Sequence, residues 1–112
     1  MKKLLLSLTL IISANAWAEI INKSCVSDSG LSIYDISLNT EPNSYGEIRY
    51  RFGEQDVFYS AVTRITRGSE LIGIAEFKQS RTGESKGVPW IFTYDTKKQT
   101  LKDNDSVEAK CK

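Results

Sequence analysis

The dominant period along the chain is two. In Glu47-Ile48-Arg49-Tyr50-Arg51-Phe52 the apolar Ile48, Tyr50 and Phe52 alternate with the charged Glu47, Arg49 and Arg51. Successive side chains of a strand point to opposite faces, so this pattern predicts a strand with one buried and one wet face. Val88-Pro89-Trp90-Ile91-Phe92-Thr93-Tyr94 repeats it, with Trp90, Phe92 and Tyr94 inward. Near the end, Val107, Ala109 and Cys111 alternate with Glu108, Lys110 and Lys112, which places Cys111 on an inward face.

Other segments are less regular. Residues 31–38 are rich in β-formers and follow the turn-like Ser27-Asp28-Ser29-Gly30. Residues 57–66 carry apolar side chains on both faces: Phe58 and Val62 on one, Val57, Tyr59 and Ala61 on the other. Such a strand is covered on both sides or bends through a bulge. Arg67-Gly68-Ser69 turns it into residues 71–78, where Gly73 is a bend point. Polar turns fall at 40–44, 53–56, 95–99 and 103–105, with a short strand at 100–102 between the last two. The longest connection is Ser80-Arg81-Thr82-Gly83-Glu84-Ser85-Lys86-Gly87.

No segment shows a helical stripe. Frequent turn signals between about seven short strands predict an all-β antiparallel meander. A flat sheet would leave two open edges, so closure into a small barrel is the expected solution, with a two-layer β-sandwich as the alternative.

Residues 1–18 stand apart from this pattern. Lys2 and Lys3 precede an apolar run from Leu4 to Ile12, and Ala16-Trp17-Ala18 places small residues at positions −3 and −1 of a cut before Glu19. This predicts a cleaved secretory signal peptide and a periplasmic or secreted protein. The run is about half the roughly 20 residues that a spanning helix needs. Asn22-Lys23-Ser24 before Cys25 is the wrong chemistry for a lipoprotein cut. The expected mature product is one domain, residues 19–112, that does not span a membrane.

Export changes the charge. The whole chain of 112 residues has 15 Lys and Arg, 14 Asp and Glu, and a formal charge of +1. Two of the bases are Lys2 and Lys3, and all the acids lie beyond residue 18, so the mature chain has one acid in excess. Nucleic acid and anionic membrane surfaces are therefore not expected partners. Arg49 and Arg51 also point away from Tyr50 and Phe52, unlike the shared face of an oligonucleotide-binding barrel. Cross-strand ion pairs are expected for them instead.

The chain has no histidine and two cysteines. That excludes Ser-His-Asp and Cys-His catalysis and leaves no expected metal site or cofactor. In an oxidising compartment Cys25 and Cys111 are expected to pair and tie the first strand to the last. Closing so long a loop is worth about 4 kcal/mol. Asp35 and Glu76 interrupt apolar strands and are the acids a glycosidase-type pair would draw on; rim positions are the plainer reading. Asp103-Asn104-Asp105 reads as a turn rather than a calcium loop. Arg81, Glu84 and Lys86, on the longest loop, are the candidate protein-binding residues. Trp90 follows that loop, as core or as the floor of a pocket.

The general plan resembles that of small periplasmic inhibitors of lysozyme, through the leader, the β-meander and a cysteine near each end. Ser29-Gly30 and Ser85-Lys86-Gly87 are similar to short elements of that family. Ser29-Gly30 lies just after the first cysteine rather than centrally, and Tyr34 is one residue too far from it, so no enzyme-plugging residues are carried over. Immunity proteins against periplasmic toxins share the build. The expected function is an exported, non-enzymatic binding protein that neutralises a lysozyme or a periplasm-acting toxin. The alternative is a small apolar-ligand carrier of the cell envelope.

Overall fold

The alternation of period two becomes one sheet wound into a cylinder. The computed structural model describes residues 19–81, 89–104 and 108–112. The predicted leader and the stretch from residue 82 to 88 lie outside the described residues. Eight strands follow in order: β1 (Ile20–Ser27), β2 (Ser32–Asn39), β3 (Ser44–Phe52), β4 (Gln55–Arg67), β5 (Glu70–Ser80), β6 (Trp90–Asp95), β7 (Thr100–Asp103) and β8 (Glu108–Cys111). Each pairs antiparallel with the next, and β8 returns to β1, so the barrel is closed. Eight strands stand against about seven expected; the first, expected to carry Cys25, shows the alternation least, because Ile20-Ile21-Asn22-Lys23-Ser24-Cys25 puts apolar residues on both faces.

The core is the inside of the cylinder. Tyr34, Ile36 and Leu38 of β2, Ile48 of β3, Ala61 of β4, Leu71 and Ala75 of β5, Phe92 and Tyr94 of β6, Leu101 of β7 and Ala109 of β8 are all buried there. Small residues on β4, β5 and β8 leave room for rings from β2 and β6. Gly73 shows this most directly. A Cβ at this position would collide with the Val62 carbonyl oxygen and sit 2.6 Å from Phe92 Cζ. Its role is close packing against a ring rather than a bend.

β4, which carries apolar residues on both faces, contains the irregularities foreseen for it. Its pairing with β5 slips twice, between Phe58 and Tyr59 and between Thr63 and Ile65. At the second slip Arg64 is the extra residue. Thr63, paired with Gly73, is buried, whereas Ile65 pairs with the outward Ile72 and is exposed. Strict alternation from Thr63 would have turned Ile65 inward, so the bulge re-aims the end of the strand.

The seam that closes the barrel is a short ladder, with as many paired positions among the described residues as β7–β8. Only Cys25, Val26 and Ser27 of β1 pair with Cys111, Lys110 and Ala109 of β8. Reciprocal Ser24–Lys112 backbone hydrogen bonds of 3.1 and 3.0 Å extend it by one position. Cys25 and Cys111 face each other in that ladder and form the disulfide.

Candidate interaction site at the loop end of the barrel

The up-and-down order puts the β1–β2, β3–β4, β5–β6 and β7–β8 connections at one end. At that end the outer face of β3 and β4 carries a charged network built from the alternation of β3. Arg49 and Arg51 point outward, as predicted, but each reaches past its in-register neighbour. Arg49 is in register with Asp35 and Arg51 with Asp56. The ion pairs are diagonal: Arg49 with Asp56 and Arg51 with Asp35, each at 2.7 Å. Arg49 grips Asp56 with both Nε and Nη2, at 2.8 and 2.7 Å. That hydrogen-bonded contact, more than the charge alone, holds the Asp56 carboxyl below the usual carboxylate range.

Phe58 is the ring at the centre of this network. It points outward on β4 yet is nearly buried, because guanidinium groups cover it. Arg49 and Arg81 each lie 5.4 Å from its ring centroid. The Arg81 backbone N–H also donates to the Asp56 carbonyl at 3.0 Å. Arg81, a predicted binding residue, is thus held at its backbone and over a ring. Arg49 donates twice to Asp56, whereas Arg81 is exposed and its guanidinium has no ion pair among the described residues. Glu84 and Lys86, the other two predicted residues, lie outside the described residues.

Inside the barrel, rings stack in contact at the same end. Ring centroids are 5.0 Å apart for Tyr34–Tyr50, 6.3 Å for Tyr34–Trp90, 5.7 Å for Tyr59–Trp90 and 6.2 Å for Trp90–Phe92. These are packing distances, with tilted and edge-to-face geometry. Trp90 therefore joins the core. The Tyr34 hydroxyl donates to Asp103 Oδ2 at 3.5 Å. Burial first, and then the Asp103 charge, push the Tyr34 phenol above its ordinary range. Burial raises Tyr59 as well, against a hydrogen bond from Trp90 that lowers it.

The other candidates separate. Asp35 lies on β2 and is ion-paired to Arg51, whereas Glu76 lies three strands away on β5. That is about 14 Å along the sheet, too far for a glycosidase pair. Asp103 is the last residue of β7, turned toward Tyr34, and Asp105 is outside the described residues. No group of three or more potential metal ligands occurs among the described residues. The signal for Phe58 was present in the sequence as an apolar residue on the wrong face. Its meaning needed Arg81, which is 23 positions away and reaches the ring only in the folded sheet. Comparison of the chain with protein-family models, curated proteins and solved structures finds no match.

Proposed function

We propose that this is an exported, non-enzymatic binding protein of the inhibitor or immunity type, which neutralises a lysozyme or a toxin acting in the periplasm. The observation that carries this reading is Arg81: an exposed residue whose guanidinium lies over Phe58, without an ion pair among the described residues, at the base of the longest loop. Arginines are enriched in the energetic centres of protein interfaces, and one already ordered in the free protein loses less entropy on docking. The packed rings of Tyr34, Tyr50, Tyr59, Trp90 and Phe92 favour recognition at the surface over a cargo carried inside. The apolar interior and charged outer network also support a barrel in water rather than in a bilayer, since membrane barrels place their apolar band outward.

The experiment is titration of the purified mature protein against lysozymes and the toxins of neighbouring genes, read as residual cell-wall hydrolysis and as binding. One of them is expected to bind and be inhibited. Arg81→Ala is expected to weaken that complex by about tenfold or more, as at an interface hot spot. Retention of full affinity by Arg81→Ala removes the loop-end site, and failure to bind or inhibit any of these enzymes overturns the reading.

A further inference from the structure

The end of the barrel opposite Arg81 carries the β2–β3, β4–β5 and β6–β7 turns, and backbone hydrogen bonds trace its rim from one element to the next. The Thr96 N–H donates to the Ser69 carbonyl at 2.8 Å, which sets the β6–β7 turn beside the β4–β5 turn. The Cys111 N–H donates to the Gln99 carbonyl at 2.8 Å, and Lys112 bonds reciprocally to Ser24. Arg67, Lys97, Lys98, Lys112 and Lys23 therefore follow one another along a continuous sector of the rim. The first four are exposed, and Lys23 is half-buried on the inward side of β1.

Two acids stand in this sector, and they do not balance it. Asp95 is engaged inside its own turn, where Oδ1 accepts the N–H groups of Lys97 and Lys98 at 2.9 and 3.0 Å. Glu70 approaches Arg67 only to 4.0 Å. Lys23, Lys97, Lys98 and Lys112 have no ion pair among the described residues. Glu19 and Glu41 stand beyond Ile20, beside Thr40. With these two and Arg64 counted, the rim still has six bases to four acids. At the loop end the order reverses: Asp28, Asp35, Glu54, Asp56 and Asp103 outnumber Arg49, Arg51 and Arg81. The near-neutral sum over residues 19–112 conceals this division. Exposed apolar side chains bound the basic sector: Ile65, two residues before Arg67, is 51% exposed, and Ile20, three before Lys23, is 63% exposed.

We propose that this rim binds the surface of an anionic lipid bilayer, with the barrel standing on it and the loop end turned away. Lipid phosphates supply the counter-charges that the rim lacks, and each Lys or Arg near such a surface adds its own increment of attraction. Ile20 and Ile65 favour a bilayer over a soluble polyanion, because apolar side chains beside bases are buried at the boundary of headgroups and acyl chains. A few bases and two isoleucines make a shallow, reversible contact that salt weakens. The Arg81 site faces away from the surface, so this inference goes beyond the proposed function and does not depend on its partner.

Co-sedimentation of the purified mature protein, its disulfide intact, with lipid vesicles tests this. The protein is expected to bind vesicles of equal parts phosphatidylcholine and phosphatidylglycerol, not phosphatidylcholine alone, and to bind less as salt rises. Lys97→Ala and Lys98→Ala are each expected to lower the partition by about fivefold, and the double variant by about twentyfold. Both keep the backbone N–H groups that Asp95 accepts, so their melting temperatures are expected to stay near that of the parent. Ile65→Asp, which exchanges an exposed apolar side chain for an acid, is expected to lower the partition by about tenfold. Arg81→Ala is expected to bind as the parent does, which separates this test from that of the loop-end site. Absence of binding to the anionic vesicles at low salt, equal binding to the neutral ones, or indifference to the double lysine variant each overturns the proposal. Retention on heparin without binding to anionic vesicles also overturns it.

Discussion

Tyr34, Tyr59 and Tyr94 each hold a phenol where the anion is disfavoured. Burial is the largest cause in all three, joined at Tyr34 by the Asp103 charge and at Tyr94 by the Asp95 charge. All three are raised in the folded state above the ordinary value of about 10. Above that pH the unfolded chain loses these protons while the folded chain keeps them, so the unfolded state gains. Stability from this source is full below about pH 10 and is lost as pH rises through the folded values. The expected outcome is a melting temperature that falls steeply above about pH 10, with phenolate absorbance that rises late and together with unfolding. The sequence placed Tyr94 inward through its alternation with Trp90 and Phe92. It did not supply Asp103 as the neighbour of Tyr34, because the two are 69 positions apart and meet only across the barrel.

Each strand is a compromise between its own alternation and the ring that faces it. Gly73 on β5 exists because Phe92 on β6 fills the space where its side chain would stand. Gly73→Ala is expected to destabilise by roughly 1–3 kcal/mol, the usual cost of overpacking a tight core, measurable by urea unfolding. β4 shows the limit of pattern reading. Its two-faced hydrophobicity signalled a bulge, but not that there are two slips, nor that Arg64 is the extra residue of one. β1 was the least legible element, since Ile20 and Val26 face outward while Lys23 sits on the inward side. A strand whose pattern is broken in this way is held by its partners: seven paired positions with β2 and the short seam with β8.

At the scale of the whole molecule, closure rests on a short ladder. β8 offers β1 three paired positions, and the Cys25–Cys111 disulfide stands among them, closing a loop with a sequence separation of 86. In the chain-entropy model a loop of that length is worth about 4–5 kcal/mol, and removing a native bridge from a small exported domain typically costs 2–5 kcal/mol. The Cys25→Ser, Cys111→Ser double variant is expected to lose stability in that range by urea unfolding. Hydrogen exchange in the double variant should rise first in β1 and β8, where the backbone ladder alone cannot hold the seam.

The missing histidine and the cysteine pair were readable before any fold was known. So was the class of the fold, because a period of two and closely spaced turns leave an antiparallel sheet as the only way to bury these side chains. What sequence could not fix was every relation across strands that depends on register. The diagonal pairing of Arg49 and Arg51 and the stacking of Arg81 on Phe58 each join residues from different strands. Alternation tells which face a side chain takes but not which residue stands beside it. The offsets between strands, two of them set by slips in a single ladder, made that choice. Residue type along the chain determined that this would be an all-β domain with an apolar inside, and tertiary pairing alone decided what its outside presents.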